Sequence, residues 1–481
     1  MPIFIFVRLI FIILAIVGIF LTFPVITALA CGEFFTLHWY LIPMLSTIAL
    51  GSIFYFVGKK TKIKLSTRSV FAFVAFAWIS ISMLGTVPLL FSGYFKTFAD
   101  ALFESVSAFS TTGATVLSEV ENLPRSLNLW RCEMHWLGGM GIIALTVALL
   151  PLLGVGGFQL IKAESTGPDK GKITPKMAST AETLWLLYFG FTLAEAIVLK
   201  ICGMDVIDSI SYAFSTLGTG GFATMNSSIA SYNSPAIEIV CTVFMFLAGI
   251  NFSLYFYVIS GKFSEIKKNS ELKAYLSIFG ICMVVIAILL IPHYGSFATA
   301  LRYSSFQVAA IMTTTGFATA DYLTWPNAAQ FFLFLLFFTG GCSGSTSGGF
   351  KVIRWVVLQK QAKNEMLRML HPHGIFSISI NKKAGRKDLV FNVAAFAFVY
   401  FGLVGITTMI GAFCNLDVFT SLTASLSMVG NIGPAFGELG PTANYGWLCP
   451  FLKYWYCFAM IAGRLELYNL IIFILPDYWK N

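Results

Sequence analysis

Charge is what this sequence has least of. Only 11% of its 481 residues are Asp, Glu, Lys or Arg, 57% are hydrophobic, and the mean hydropathy is +0.80. A water-soluble globule carries about 25% charged residues, so a soluble fold is excluded. Histidine is also rare, at five, and none of the nine cysteines forms a C-x-x-C pair. That leaves no convergent His, Asp or Cys cluster for a membrane-embedded enzyme or a metal centre. The cysteines read as small apolar residues without a disulfide framework. No helix carries the regularly spaced arginines of a voltage sensor. The phosphate-cradling pattern G-x-x-x-x-G-K-[ST] is missing as well, so no nucleotide fold is expected in this chain.

What is present is a series of apolar runs, many reaching the roughly 18 to 20 residues needed to cross a bilayer as helix. Forty-eight Phe residues suit lipid-facing and interhelical surfaces. The net charge is +9, and 22 of the 31 Lys and Arg fall in four stretches, 59–68, 162–176, 262–273 and 351–387. By the positive-inside rule these are cytoplasmic loops, so the basicity reports topology rather than a nucleic-acid partner. Residues 3–30, with Arg8 near the start and Ala28-Leu29-Ala30 before Cys31, look at first like a secretory signal. The run after Arg8 is too long for one, so a first spanning helix is predicted, N-terminus inside. A second, 40–57, returns to the cytoplasm.

The remaining chain is punctuated by one recurring bend. It reads Ser110-Thr111-Thr112-Gly113-Ala114-Thr115, then Leu217-Gly218-Thr219-Gly220-Gly221-Phe222-Ala223-Thr224, then Thr313-Thr314-Thr315-Gly316-Phe317-Ala318-Thr319, and finally Val429-Gly430-Asn431-Ile432-Gly433-Pro434-Ala435. Pairing Phe222 with Phe317 sets Gly221 opposite Gly316, and pairing Gly430 with Gly218 sets Gly433 opposite Gly221. The anchors Gly113, Gly221, Gly316 and Gly433 stand 108, 95 and 117 residues apart, a spacing suited to a membrane unit of helix, loop and helix.

Each bend follows a Ser/Thr-rich segment too short to span, at 97–110, 205–217, 296–312 and 417–429, which reads as a re-entrant half-helix. Asp100, Asp205 and Asp417 lie at or near the starts, where helix caps belong. Predicted spans flank them at 70–91 and 130–153, 184–201 and 237–260, 274–291 and from 328, and 389–413 and 447–475. The expected fold is therefore an all-α polytopic membrane protein. An extra helix pair (1–68) precedes four helix/pore-loop/helix units, 69–182, 183–273, 274–387 and 388–481, arranged with pseudo-fourfold symmetry around one pore. That gives about ten spanning helices plus four half-helices, with both chain ends cytoplasmic.

Irregular backbone at membrane depth is tolerated only where protein buries it or it lines a water-filled cavity. Four such bends can meet on one axis and offer carbonyl oxygens to a dehydrated cation, the arrangement by which potassium is chosen over sodium. Glycine is needed there because aiming successive carbonyls inward demands φ/ψ values that β-carbons resist. No ring of Asp or Glu occupies the bends, which speaks against a calcium-type filter. Gly-Thr clusters also let helices pack closely, but packing alone does not explain four copies in register.

These four motifs, with the preceding helix pair, resemble the TrkH/TrkG/KtrB superfamily of potassium uptake proteins over essentially the whole chain, the TrkH branch most closely. The resemblance places the filter on Thr111, Thr112 and Gly113; on Thr219, Gly220 and Gly221; on Thr314, Thr315 and Gly316; and on Asn431, Ile432 and Gly433. In relatives, serine at the first glycine position accompanies sodium permeation, so Gly113 favours potassium.

The last span of unit three is interrupted by Thr339, Gly340, Gly341, Cys342, Ser343, Gly344, Ser345, Thr346, Ser347, Gly348 and Gly349. Five glycines in eleven residues do not hold a helix, at about 1 kcal/mol each relative to alanine. The stretch resembles the intramembrane loop that gates the pore in this family. Arg464 lies inside an apolar run, where a charge costs about 2.5–3.5 kcal/mol, so it is expected to face the cavity and be paired. The resemblance makes it an electrostatic barrier to cations beside the loop. Glu104, on the first half-helix, is a candidate to hydrogen-bond behind the filter.

The resemblance further implies potassium uptake in the cytoplasmic (inner) membrane of a bacterium, no cofactor in this chain, a homodimer, and a cytoplasmic nucleotide-binding regulatory subunit of the TrkA type on the basic loops. The alternatives are a sodium- or proton-coupled potassium symporter and a less selective potassium/sodium permease.

Overall fold

Each long apolar run folds as helix because a chain in hydrocarbon must satisfy its own backbone hydrogen bonds. The computed structural model describes residues 3–58, 67–141, 177–381, 383–384 and 387–480. Its helices are α1 (Ile3–Phe20), α2 (Thr22–Cys31), α3 (Leu37–Val57), α4 (Thr67–Phe91), α5 (Phe98–Phe109), α6 (Arg125–Gly139), α7 (Met177–Ile201), α8 (Val206–Gly218), α9 (Pro235–Ala248), α10 (Phe252–Ile259), α11 (Phe263–Lys268), α12 (Ser270–Tyr294), α13 (Phe297–Met312), α14 (Asn327–Leu336), α15 (Val352–Leu370), α16 (Lys387–Phe413), α17 (Val418–Gly430) and α18 (Pro450–Arg464), followed by short turns. Among the described residues the strand content is one two-residue pairing, Ser379–Ile380 with Lys383–Ala384.

Six of the described helices are long and apolar enough to cross a membrane, and eight crossings result if each of two bent pairs counts as one. The segments between, α5, α8, α13 and α17, have 12, 13, 16 and 13 residues, too short to span. Their starts are fixed by side chains. Thr97 and Asp100 form a capping box on α5. Asp205 accepts from the Ile207 N–H, and Asp417 from the Phe419 and Thr420 N–H groups.

Packing follows a cyclic order. Helix α6 lies against α5 and α8, α9 against α8 and α13, and α18 against α17 and back against α5. The helix after each of these bends therefore touches its own half-helix and the next one. The contact of α18 with α5 joins the end of the chain to the first half-helix. The N-terminal helices sit outside this ring, with α1 and α3 against each other and α4, and α2 on α6.

Two expected spans are corrected. The sequence predicts unbroken spans over 237–260 and 447–475, but α9 and α10 meet at 93°, and α18 meets Tyr468–Ile474 at 116°. At the first break Asn251 caps α10 through the Ser253 N–H at 2.8 Å. At the second, Glu466 and Leu467 are both left-handed, with φ of 59° and 56°. Arg464 is thus the last residue of α18, at a break, and not in mid-helix. The expected continuation of α6 to residue 153, and the basic stretches 59–66 and 162–176, lie outside the described residues.

Candidate ion pathway

All four half-helices end in the same way. The N–H groups of Thr112, Gly220, Thr315 and Ile432 reach back five residues to the carbonyls of Ser107, Ser215, Ala310 and Ser427, at 2.8, 2.8, 2.8 and 2.9 Å. The preceding residues, Thr111, Thr219, Thr314 and Asn431, are left-handed, with φ of 57°, 52°, 57° and 55°. This is a Schellman-type terminus. Three β-branched threonines in that region are genuine outliers, and such strain persists only where the surroundings hold it, typically at working sites.

Two residues later the backbone is left-handed again, with φ of 80°, 85°, 78° and 100° at Gly113, Gly221, Gly316 and Gly433. The residue between is not. Alternating the sign of φ turns successive carbonyls toward one side of the strand.

The strands close on one another. A β-carbon on Gly113 would stand 2.0 Å from the Gly220 carbonyl oxygen, one on Gly221 2.0 Å from that of Thr315, one on Gly316 2.3 Å from that of Ile432, and one on Gly433 2.5 Å from that of Thr112. The order is one, two, three, four and back to one. The same four glycines line a single cavity open to solvent. The twelve residues singled out from the sequence are thus brought together, the degenerate fourth copy included.

Behind the strands lies a set of side chains of which the sequence singled out Glu104, Asp100 and Asn431 but not Arg131, His135, Tyr445 or Lys453. Arg131 on α6 donates to Glu104 at 2.9 and 2.6 Å, both groups being fully buried, and Glu104 also accepts from Thr115 Oγ1 and the Val116 N–H at 2.9 and 3.0 Å. Glu104 thereby holds the exit of the first strand, as expected of it. His135 links α5 to the strand after α8, Nδ1 lying 2.7 Å from the Ala108 carbonyl and Nε2 3.3 Å from the Phe222 N–H. With Nδ1 protonated, the ring donates to the first and accepts from the second. In unit four, Asn431 donates to Thr112 Oγ1 at 3.0 Å and to the Met460 carbonyl at 2.9 Å, and the Tyr445 hydroxyl donates to the Gly433 carbonyl at 2.9 Å. The buried pair Lys453–Asp100, at 2.6 Å, ties α18 to the start of α5.

At the open side two capping carboxylates, Asp417 and Asp205, are held below their ordinary range. Hydrogen bonds from Thr420 and Phe419 hold Asp417 below the usual carboxylate range. At Asp205 desolvation is the largest single influence and acts upward, but the Ile207 and Val206 N–H groups and Arg125 together outweigh it, with the same net direction as at Asp417.

On the opposite side of the strands, residues 339–349 form no helix. The Gly348 N–H donates to Thr314 Oγ1 at 2.7 Å, and a β-carbon there would stand 2.5 Å from the Gly430 carbonyl. The loop therefore presses on the ends of the third and fourth half-helices. It is anchored to the α9–α10 break by Cys342 N–H to the Gly249 carbonyl (2.9 Å) and by Phe252 N–H to the Gly344 carbonyl (3.0 Å). Glu271 accepts from the Ser343 and Ile353 N–H groups at 2.6 and 3.1 Å, and the Lys351 ammonium donates to the Ser347 carbonyl. Arg464 donates to the carbonyls of Thr346, Gly138 and Gly139, each at 2.7 Å. Carbonyl partners are one way an arginine at membrane depth is accommodated. Glu466 pairs with Arg354 at the start of α15.

Comparison with known proteins agrees with this architecture. The model of the TrkH family, described as cation transport protein, matches residues 40–480. The Trk system potassium uptake protein TrkH of Salmonella typhimurium is 36% identical over 440 residues, 90% of each chain. TrkG of Escherichia coli strain K12 is 34% identical over 465 residues, 95% of each. The crystal structure of the potassium transporter TrkH from Vibrio parahaemolyticus superposes with a TM-score of 0.87 at 30% identity, covering all of both chains. This chain belongs to the TrkH family of cation transport proteins, bacterial membrane transporters and not enzymes.

Proposed function

We propose that the chain carries potassium into the cell through the ring formed by Thr111–Gly113, Thr219–Gly221, Thr314–Gly316 and Asn431–Gly433. A cation enters the open cavity, loses water to the strand carbonyls, and passes the half-helix ends, whose negative dipole poles favour it. The single observation that carries this is the closed order in which each glycine leaves room for the next strand's carbonyl. The membrane potential can drive the flux, at about 2.3 kcal/mol per charge per 100 mV.

The loop 339–349 is the gate in this proposal, standing below the ring with Arg464 across it. Repeats in pseudo-fourfold arrangement, cytoplasmic termini, a homodimer and a TrkA-type regulatory subunit on the basic loops belong to the same proposal, supported by the basic stretches and the family. Tracer uptake of potassium against sodium into proteoliposomes, with and without the soluble partner, tests it. Potassium preferred over sodium is the expected result. Equal uptake of both ions by the assembled protein removes the ring from the role of selectivity filter, and flux that requires a sodium or proton gradient points to coupled transport instead.

A further inference from the structure

Two cysteines meet at the neck of the fourth re-entrant segment. Cys414 follows the last residue of α16 and Cys449 is the residue just before α18, and their sulfurs are 3.6 Å apart. Cys449 is exposed and Cys414 half-buried, unlike the buried apolar role expected of all nine. Between them the chain contains α17, the strand Asn431–Gly433 and the loop bearing Tyr445. A link here would close that whole excursion at its base. It would also fix the start of α18, which carries Lys453, the partner of Asp100 and of the Gly446 carbonyl at 2.6 Å.

We propose that Cys414 and Cys449 are a redox-modified pair, converted to an intramolecular disulfide by a small-molecule disulfide on the outer face of the membrane. This rests on the orientation proposed above, which puts the half-helix starts outside, where disulfides persist. The exposed Cys449 reacts first. Its thiol loses a proton and attacks one sulfur of the external disulfide, forming a mixed disulfide and expelling one thiolate. Cys414 then loses its proton, attacks the Cys449 sulfur and expels the second thiolate. The two protein thiols give up two electrons, the external disulfide takes them, and the two protons go to its two released thiolates. Partial burial, and then the neighbouring Cys449 sulfur, push the Cys414 thiol up from its ordinary value, which keeps it protonated and makes it the second thiol to act. A bond needs about 2.05 Å between sulfurs, so only a short approach remains.

The test uses the full chain in its membrane. Cells are exposed to oxidised glutathione or to dithiothreitol, and free thiols are then counted with a polyethylene-glycol maleimide after denaturation. A parallel sample is treated first with a membrane-impermeant thiol reagent. The expected result is nine free thiols when reduced and two fewer when oxidised, whereas Cys414→Ser loses one, held as the unresolved mixed disulfide on Cys449, and Cys449→Ser loses none. If Cys449 reacts with the impermeant reagent from outside and the oxidised protein still shows nine free thiols, the pair is overturned and the orientation stands. If Cys449 is reached only after permeabilisation, the orientation fails and the proposal with it.

Discussion

Arg464 holds the Thr346 carbonyl at 2.7 Å with one terminal nitrogen, while the other holds the Gly138 and Gly139 carbonyls at the same distance. One guanidinium thereby joins the loop 339–349 to the end of α6. Its planar fork suits three carbonyls in a way a lysine ammonium does not. Arg464→Ala is expected to raise basal cation leak about tenfold, since each charge-assisted bond is worth ~1.5–3 kcal/mol. Rubidium tracer flux in proteoliposomes measures it. Unaltered leak in correctly assembled protein would remove Arg464 from the gate.

Gly113→Ser adds a β-carbon where the Gly220 carbonyl oxygen would stand 2.0 Å away, at a φ of 80°. The strands of units one and two must then separate. The potassium-over-sodium permeability ratio is expected to fall by at least about tenfold, a 1.4 kcal/mol change in discrimination. Bi-ionic flux on protein that still elutes as wild type provides the check, and an unchanged ratio counts against the ring.

Arg131→Ala strands the Glu104 carboxylate in a fully buried site. Losing one member of such a pair costs about 3–5 kcal/mol, seen as a lower unfolding temperature in detergent. Arg131→Met combined with Glu104→Gln is expected to recover part of that loss, because neither group is then left charged. A double variant as unstable as the single one would show that packing, not charge, sets the cost.

Tyr445→Phe deletes the hydroxyl that occupies the Gly433 carbonyl. The loss in stability is expected to be small, about 0.5–1.5 kcal/mol, whereas selectivity should change, because a carbonyl of the fourth strand is released. Parallel measurement of unfolding temperature and permeability ratio separates the two effects.

The half-helices were legible to within a residue or two because their ends carry strong local signals: Asp205 and Asp417 as caps, and Gly113, Gly221, Gly316 and Gly433 where φ is positive. The interruption at 339–349 was legible from its five glycines, but the breaks after α9 and α18 were not. Leu465, Glu466 and Leu467 contain neither Gly nor Pro, and the left-handed pair there is imposed by long-range contacts, Arg354 to Glu466 and Arg464 to three carbonyls. Arg131 and His135 carry no local signal for a related reason. Their roles depend on helix α6 crossing two half-helices, which no spacing along the chain reveals. Asn431 was legible as part of the fourth bend, but its bond to Thr112 spans 319 residues.

In an assembly of four identical subunits, one codon change is copied into every quarter of the aperture. Here the quarters are spelled out separately on a single polypeptide, and Ile432 with Pro434 already differ from Thr112 with Ala114. A single substitution therefore falls on one strand and the neighbour it touches and leaves the other two unchanged, so its effect on the proposed opening is lopsided.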